Sequence, residues 1–275
     1  MPVTLLVTGA SGYVGGLVAR RAHRAGHEVA ATYLRAPGDA PYAWERLDVR
    51  DRGAVDALFR RLRPTAVVHA AVGDLDDWAC VADGAAYIAV AAAREGARLV
   101  HLSSDAVFSG RAAPYREQDR PDPVNRYGAA KAAAETAVRA VHPAATVART
   151  SLVLGDGRSK HEGFSLELAR GERPGALFTD EVRSAVHPGD LSAALLELAE
   201  GEHAGVIHLG GADALTRHEL GCLVAARAGL DPAAVPAGRG ADLGVPRPGD
   251  TTLDSGLAAR LLTTRLRGAR EFLGG

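Results

Sequence analysis

Short apolar segments alternate with helical segments along the first half of the chain, and this alternation limits the fold more than any other feature. Strands are predicted at residues 3–7, 27–33, 47–49, 66–71 and 97–103, and helices at 14–25, 55–63, 78–95 and 126–141. Strands separated by helices pair in parallel through right-handed crossovers. Continuous apolar strands are typical of a sheet covered on both faces. The sequence therefore predicts an α/β fold with a doubly wound parallel sheet.

The chain changes character after a further predicted strand at residues 145–154. Residues 155–184 are rich in glycine and charge, and residues 233–251 show little periodicity, so we expect loops there. A helix at 191–200 and a strand at 206–209 lie between these segments. Thr216 is predicted to cap a helix that begins at Arg217, with Glu219 completing a capping box. These elements predict a second, smaller lobe.

Composition and charge exclude several classes of protein. The 275 residues are 47% hydrophobic and 24% charged, which excludes disorder as the main state. The formal net charge of −1 gives no electrostatic support for a nucleic-acid or anionic-membrane partner. Cys80 and Cys222 are too few for a disulfide framework or a thiolate metal site. Without a signal-peptide pattern or an apolar run of roughly 18–20 residues, a soluble cytoplasmic protein is expected.

A glycine-rich turn lies directly between the first predicted strand and the first predicted helix. Gly9, Gly12 and Gly15 follow the spacing G-x-x-G-x-x-G. Such glycines let the chain turn tightly and let backbone N–H groups approach a pyrophosphate at the helix N-terminus. A plain connector is the alternative, but the position between strand and helix favours dinucleotide binding.

The residues after the second predicted strand bear on the choice of dinucleotide. NAD-binding proteins of this layout place an Asp or Glu there to accept a hydrogen bond from the ribose 2′-hydroxyl. Residues 31–35 contain no acid, and the guanidinium of Arg35 is suited to pair with a 2′-phosphate. NADP is therefore favoured over NAD, with a solvated loop arginine as the alternative.

Three positions near later strand ends are further candidates for the cofactor. Asp48, at the third strand, is placed to accept from an adenine amino group, or else opens the next helix as a surface residue. Ala70 and Ala71 end the fourth strand with small side chains, which lets a cofactor lie against the backbone. Simple close packing is the alternative for the two alanines.

Tyr127 and Lys131 form a Y-x-x-x-K pair in a predicted helix. Residues four apart share a helix face, so we expect the ammonium to lower the phenol pKa from its usual value of about 10. Tyr127 would then donate a proton to a carbonyl oxygen that receives hydride. Lysine occurs only twice in the chain, at 131 and 160, so a chance pair is less expected than in most sequences.

Ser103, Ser104 and Asp105 close the fifth strand at the edge of the sheet where doubly wound folds bind ligands. A serine hydroxyl there is placed to hydrogen-bond the same carbonyl oxygen as the tyrosine. Helix capping or turn formation by the serines is the alternative.

Together these residues resemble the extended short-chain dehydrogenase/reductases, in which the serine and tyrosine stand about as far apart as Ser104 and Tyr127. Residues 102–110, L-S-S-D-A-V-F-S-G, are similar to the S-T-D-x-V-F-x-G stretch of the dTDP-4-dehydrorhamnose reductase family. Segments 114–117, 121–123 and 149–151 follow in that family's order. The resemblance spans essentially the whole chain.

The resemblance implies NADPH-dependent reduction of the 4-keto group of a nucleotide sugar, with Ser104, Tyr127 and Lys131 as catalytic residues and no metal. The implied cofactor-binding residues are Gly9, Ser11, Gly12, Tyr13, Val14, Gly15, Arg35, Asp48, Val49, Ala70, Ala71, Ser103, Tyr127 and Lys131. The implied substrate-binding residues are Ser104, Asp105, Val107, Phe108, Arg149, Arg183 and Arg247. It also implies a Rossmann-type NADP-binding domain at 1–154, to which 185–210 return, and a C-terminal substrate-binding lobe at 155–184 and 211–275.

Two later motifs resemble those of nucleotide-sugar epimerases. Residues 183–191 are similar to R-D-Y-x-H-V-x-D-L, and residues 247–250 to R-x-G-D. In those enzymes both arginines clamp the diphosphate; for Arg183 and Arg247, salt bridges where the lobes join are the alternative. Leu152 and Leu154 stand where rhamnose-pathway reductases carry aromatic residues, so a sugar would lose a stacking partner.

Other functions are weaker interpretations of the same residues. A nucleotide-sugar epimerase would retain NAD, and the missing acid near Arg35 argues against it. A simple ketone reductase in natural-product tailoring and a non-catalytic, cofactor-binding regulatory subunit also remain open. No G-x-S-x-G elbow, P-loop or zinc-ligand spacing occurs. The alanine-rich helices at 78–95 and 126–141 predict a homodimer, and the resemblance implies that this pair of helices builds a four-helix interface.

Overall fold

Strands and helices alternate in the computed structural model, which describes residues 4–74 and 77–274. The strands are β1 (Thr4–Thr8), β2 (Glu28–Tyr33), β3 (Ala43–Arg46), β4 (Ala66–His69), β5 (Arg98–Ser104), β6 (Thr146–Thr150), β7 (Leu177–Phe178), β8 (Val182–Arg183), β9 (Gly205–Leu209), β10 (Leu215–Thr216) and β11 (Ala237–Gly238). The α-helices are α1 (Tyr13–Arg24), α2 (Arg52–Leu62), α3 (Gly84–Glu95), α4 (Arg126–Val141), α5 (Lys160–Ala169), α6 (Pro188–Glu200), α7 (Arg217–Arg227), α8 (Gly256–Leu261) and α9 (Ala269–Leu273). A π-helical segment spans Ala79–Asp83, and short 3-10 helices span Asp105–Val107, Pro232–Ala234 and Gly240–Leu243.

The main sheet has seven described strands in the order β3-β2-β1-β4-β5-β6-β9. β1 pairs in parallel with β2 on one side and β4 on the other, and β4 pairs in parallel with β5. The chain therefore turns back on itself at β1, and doubly wound sheets bind ligands outside the carboxyl ends of the strands at such a point. The predicted α/β fold class, a doubly wound parallel sheet of Rossmann type, is confirmed.

The chain forms two compact units. The first unit comprises Met1–Ser103, Ala129–Ala148 and Ser192–Ile207, and the second unit comprises Ser104–Gly128, Arg149–Leu191 and His208–Gly275. The first unit has an aliphatic core in which α3 contributes Ile88 and several buried alanines. The second unit has smaller clusters, one around Leu215 and Leu220 and another around Leu168 and Leu177.

The third strand lies four residues earlier than predicted. β3 pairs in parallel with β2, from Ala30 opposite Ala43 to Tyr33 opposite Arg46, whereas residues 47–49 leave the sheet. Leu47 and Val49 are nevertheless only 5% and 3% exposed, because this segment turns into the core of the first unit. Burial, rather than pairing, explains the apolar residues that were read as a strand.

Helix α5 was not predicted, because residues 155–184 look like a loop in composition. Ser159 caps it by accepting from the His161 N–H at 3.2 Å. The predicted helix at 78–95 is divided into the π-helical segment and α3, whereas α4 and the Thr216–Glu219 capping box were predicted correctly. Of the predicted first strand, Val3 lies outside the described residues.

Three further observations concern the described part of the chain. No helix there is both long enough and apolar enough to cross a membrane. Nor do three or more His, Cys, Asp or Glu side chains in that part come together as a metal-binding group. Cys80 and Cys222 are both free thiols.

Candidate active site

The glycine-rich turn after β1 packs its backbone directly against the segment after β4. Gly9 has φ of 71°, and a Cβ built there would lie 2.7 Å from the Cα of Ala71. A Cβ at Gly15 would overlap the carbonyl oxygen of Gly9. On the other side, the Gly9 N–H donates to Thr32 Oγ1 at 3.1 Å. The sequence spacing thus has a steric cause, because larger residues do not fit at these two positions.

Helix α1 begins at this turn without a capping side chain. Gly12 is the N-cap residue, and the first turn of the helix contains no acid. Ser11 and Gly12 are exposed. The positive end of the helix dipole and the backbone N–H groups of the first turn are therefore not neutralised by a carboxylate of their own helix. This geometry fits a pyrophosphate.

The residues predicted to face the adenosine differ in their environment. Arg35 is exposed in the segment after β2. Asp48 is held by Arg50, whose Nη2 lies 2.7 Å from Asp48 Oδ2, and this hydrogen bond lowers the pKa of the carboxyl. Val49 is buried, and a Cβ at Gly84 would lie 2.8 Å from it. Asp48 is thus a fixed, ionised acceptor, whereas the Val49 side chain belongs to the core.

Tyr127, at the start of α4, lies close enough to Ser104 for the serine side chain to lower the pKa of the phenol. Gly128 allows this approach, since a Cβ there would overlap the Ala106 carbonyl oxygen. Ser104 Oγ accepts from the Ala106 N–H at 3.1 Å and donates to Asp105 Oδ1 at 3.2 Å. The 3-10 turn therefore orients the serine hydroxyl that meets the phenol.

Burial controls the ionisation of Tyr127. It raises the pKa of the phenol to about 12, opposed by the Ser104 hydrogen bond and reinforced by the charge of Asp105. The predicted lowering of this pKa is wrong, because desolvation of a phenolate outweighs the stabilising effects. At neutral pH the phenol holds its proton, which is the state that a proton donor needs.

Lys131 is 4% exposed and is satisfied by the protein around it. Its Nζ donates to the Leu102 carbonyl oxygen at 2.8 Å. Burial lowers its pKa to about 8, while Glu135, one turn further along α4, raises it. Ser103 donates to Glu135 Oε1 at 2.6 Å, so its hydroxyl is committed inside the protein. Leu102 and Ser103, which are consecutive residues of β5, thus bind Lys131 and Glu135 respectively.

Two buried histidines lie near Lys131 in the first unit. His69 and His101 stack with ring centroids 5.3 Å apart, and Thr8 Oγ1 lies 2.6 Å from His69 Nδ1. Burial, with help from Lys131, lowers the pKa of His69 to about 3 and that of His101 well below its usual range. Both rings are therefore neutral at physiological pH.

Asp105 collects hydroxyl donors at the heart of the second unit. Its Oδ2 accepts from Ser151 at 2.6 Å and from Thr251 at 3.1 Å, in addition to the Ser104 bond at Oδ1. Arg183 Nε lies 3.8 Å from the same oxygen. Asp105 is 7% exposed and acts as the hub that ties the Ser104 turn to the later segments.

Arg183 is buried and fully engaged, contrary to its predicted position on a substrate diphosphate. Its guanidinium donates to the carbonyl oxygens of Val182, Gly249 and Pro248, and Nη2 lies 3.5 Å from Glu181 Oε2. Its alternative role, a structural ion pair, describes these contacts. Because Arg183 is 6% exposed, its donors are turned toward the protein.

Arg247 shares Glu181 with Arg183 but remains partly open to solvent. Its Nε lies 2.5 Å from Glu181 Oε1, and its side chain is 36% exposed. The guanidinium stacks on Phe178, with its central carbon 4.7 Å from the ring centroid. Of the two arginines predicted to clamp a diphosphate, only Arg247 is partly open to solvent.

Three other residues implied as substrate contacts are interior. Val107 and Phe108 are fully buried, and Phe108 stacks on Tyr115 with centroids 3.9 Å apart. Arg149 is 1% exposed and lies over the Phe108 ring at 4.9 Å. Val107 and Phe108 turn inward at the 3-10 turn after Ser104, and Arg149 reaches the same interior from β6.

Sequence reasoning missed three charged residues of these clusters. Glu135 lies four residues after Lys131, and this i,i+4 spacing was a usable signal. Glu181 precedes the Arg183 motif by two positions, as expected for residues on one face of a short strand. Arg217 was identified only as the first residue of α7, and no local pattern marks its side chain.

Comparisons with known proteins agree with this architecture. Residues 3–274 match the family model described as RmlD substrate binding domain. A dTDP-4-dehydrorhamnose reductase of Mycolicibacterium smegmatis is 33% identical over 99% of this chain and 84% of the relative. Methionine adenosyltransferase 2 subunit beta of Xenopus laevis is 29% identical over 80% of this chain and 70% of that protein. These relatives show that the likeness extends along most of the sequence.

Solved structures share the fold at lower sequence identity. A dTDP-4-dehydrorhamnose reductase from Bacillus anthracis, solved in complex with NADP, has a TM-score of 0.84 and 22% identity, and the match covers 99% of this chain and 96% of that one. Sheet order, the glycine turn and the Tyr127–Ser104 pair had already indicated the same architecture. Since the family match spans residues 3–274, the chain belongs to the RmlD substrate binding domain family, the family of the dTDP-4-dehydrorhamnose reductases.

Proposed function

We propose that the protein reduces the keto group of a nucleotide-activated sugar, with NADPH as reductant and Tyr127 as proton donor. The observation that carries the proposal is a protonated Tyr127 phenol beside the Ser104 side chain, in a segment where Gly128 packs closely against Ala106. The identity of 33% to a dTDP-4-dehydrorhamnose reductase supports a sugar nucleotide as the substrate. The 4-keto group of a dTDP-linked deoxysugar is the first candidate.

The residues around the glycine-rich turn fit a dinucleotide. Gly9 and Gly15 keep the backbone open for close approach, and α1 presents an N-terminus without a capping side chain. In the proposal, Arg35 pairs with the 2′-phosphate and Asp48 accepts from the adenine amino group. The NADP complex of the Bacillus anthracis structure supports NADP as the dinucleotide. When bound, NADPH supplies the hydride.

The chain's own residues handle the proton. As the carbonyl carbon is reduced, negative charge grows on the carbonyl oxygen, and Tyr127 donates its phenolic proton to it. Ser104, whose hydroxyl donates to Asp105 Oδ1 in this structure, turns its proton to the same oxygen and stabilises that charge. Lys131, one turn further along α4, is held by the Leu102 carbonyl oxygen at 2.8 Å. The product is an alcohol that has gained one hydride and one proton.

Oxidation of NADPH in the presence of dTDP-4-dehydro-6-deoxysugars tests the proposal. The parent protein is expected to oxidise NADPH only when the keto sugar is present. Tyr127→Phe should lower turnover by about 10²–10⁴-fold, the range for a positioned general acid. Tyr87→Phe removes a phenol from α3 and is the matched control, expected to leave turnover unchanged.

Two results would contradict the proposal. The first is turnover by Tyr127→Phe within tenfold of the parent, which removes the proton-donor role. The second is tight NADPH binding without oxidation across a panel of nucleotide keto sugars, which favours a cofactor-binding regulatory subunit.

A further inference from the structure

Arg217 begins α7 beside the buried carboxylate of Glu181. β8 and β10 pair antiparallel, with Leu215 opposite Arg183. One step beyond this ladder the Arg217 N–H donates to the Glu181 carbonyl oxygen at 2.8 Å. Residues opposite each other in an antiparallel pair present their side chains on the same face. The register therefore groups Arg217 with Glu181 and Arg183.

The charges around Glu181 do not balance. Arg183 and Arg247 both contact this carboxylate, at 3.5 Å and 2.5 Å, and Arg217 acts on the same group electrostatically. Asp105 is the other carboxylate that acts on Arg217. Guanidinium groups do not lose their protons in proteins. The neighbouring Asp180 and Arg239 lie 4.0 Å apart and offset each other, so three permanent cations remain for two anions.

The Arg217 guanidinium has no acceptor of its own. Within residues 4–74 and 77–274, no oxygen accepts a hydrogen bond from it and no carboxylate lies within ion-pair distance. Burial lowers the pKa of Arg217, Glu181 opposes this change, and Arg183 and Arg247 reinforce it. A half-buried cation with unpaired N–H donors is unfavourable unless an anion from outside the protein meets it.

Arg247 contributes further donors on the solvent side. Only its Nε is engaged, by Glu181, and its aromatic neighbour Phe178 holds the guanidinium plane. Its terminal nitrogens have no hydrogen-bond acceptor among the residues that the structure describes. The fork geometry of two such guanidiniums matches the oxygens of a phosphate or diphosphate.

We propose that Arg217 and Arg247 together bind the diphosphate of the substrate, whereas Arg183 holds Glu181 and Asp105 in place. The identity of the ligand rests on the proposed function; the need for an anion rests on the charge imbalance alone. Asp105 connects this cluster to the reacting groups, because it accepts from Ser104 and lies 3.8 Å from Arg183. The anchored end of the substrate is thereby tied to the end that reacts.

Calorimetric titration with inorganic pyrophosphate and with thymidine diphosphate tests this assignment without turnover. Both titrations are made with and without saturating NADPH, so that phosphate sites of the cofactor are distinguished. Arg217→Gln should weaken binding of either probe by roughly 10–150-fold, the range for hydrogen bonds to charged groups. Arg116→Gln removes an arginine with a 66% exposed side chain in the same unit and should change nothing.

Several outcomes overturn the assignment. The assignment is wrong if the parent binds neither pyrophosphate nor thymidine diphosphate, or if Arg217→Gln binds them as tightly as the parent does. It is also wrong if Arg116→Gln weakens their binding as much as Arg217→Gln does. Because Arg217 has no side-chain partner in the described protein, failure of Arg217→Gln to fold also contradicts it. Arg247→Gln should weaken binding as well, and an unchanged affinity there removes its share of the site.

The outcomes for this site and for the proposed function are separable. Arg217-dependent binding of pyrophosphate by a protein that reduces no sugar nucleotide supports the anion site and rejects the reductase. Tyr127-dependent reduction with no effect of Arg217→Gln supports the reductase and rejects the anion site.

Discussion

Two clusters of buried charge, one in each compact unit, are built in opposite ways. In the first unit, Lys131 donates to a backbone carbonyl oxygen at 2.8 Å and has Glu135 one helical turn away. In the second unit, Arg217 stands beside Arg183 and Arg247 with too few carboxylates between them. The protein neutralises the first cluster by itself, whereas the second is neutralised only by a bound anion.

The difference shows how a structural charge is told from a binding charge. A buried charge with its partners in place supports the fold, and removal of one partner is costly. A charge without partners contributes nothing to folding and is available for a ligand. Arg183 belongs to the first kind although its sequence motif predicts the second, because its donors already meet backbone and carboxylate oxygens.

The largest effect is expected for Lys131→Met. This change leaves the Leu102 carbonyl oxygen without its buried donor, which costs about 1–3 kcal/mol of unfolding free energy. Denaturant unfolding of the parent and the variant measures the loss. Lys160→Met removes the other lysine, which is exposed, and should change stability by less than about 0.5 kcal/mol.

A double variant sharpens this test. Adding Glu135→Gln to Lys131→Met removes the carboxylate whose charge raises the pKa of Lys131, so the stability losses of the two single changes should not add. Equal losses for Lys131→Met and Lys160→Met, or strictly additive losses in the double variant, would show that the charges of Lys131 and Glu135 do not support each other.

A smaller effect is expected from the histidine pair beside Lys131. The pKa of His101 in the folded protein lies well below its usual value. At a pH between these two pKa values, the histidine is protonated in the unfolded chain and neutral in the folded protein. Stability therefore falls as the pH is lowered below about 6.5, by up to about 1.4 kcal/mol per pH unit for each such histidine. His101→Phe keeps a ring against His69 and should make this fall shallower.

The control for the histidine test is His23→Phe, which changes an exposed ring of the same unit. Unfolding free energies of the parent and both variants are compared between about pH 6.5 and about pH 4.5, a range that lies below the usual pKa of histidine. An unchanged pH slope in His101→Phe would mean that the buried ring does not resist protonation as its surroundings indicate.

The smallest effect concerns Arg35, which extends the comparison to the surface. Arg35 is exposed and makes no ion pair within the described part of the chain. If it binds the 2′-phosphate, Arg35→Ala should raise the Kd for NADPH roughly tenfold and leave the Kd for NADH unchanged. Equal losses for both cofactors would remove the basis for preferring NADP.

The fold was largely predictable because its signals are local. Apolar strands, the glycine turn and the boundaries of α4 follow from residue patterns that need no distant partner. β3 was misplaced because Leu47 and Val49 are buried without pairing, and burial and pairing leave the same apolar pattern. α5 was missed although Ser159 and Glu162 stand at the spacing of a capping box.

The candidate site was less predictable because its electrostatics depend on three-dimensional neighbours. The Y-x-x-x-K spacing identified Tyr127, but burial raises its pKa where a nearby cation was expected to lower it. The motif around Arg183 identified a cluster of charge, but not which arginine lies inside it. Which guanidinium has acceptors depends on Glu181 and on carbonyl oxygens 65 and 66 positions away, and no local pattern reports them.

The most direct test of the contrast between the clusters is the unfolding free energy of Arg217→Gln, measured with and without pyrophosphate. Without the anion, the variant should be at least as stable as the parent, because a charge that has no partner is removed. With pyrophosphate at 100 times its Kd, the parent should gain about 2.7 kcal/mol and the variant much less. A variant that is less stable than the parent without the anion, and that gains as much with it, would contradict the account.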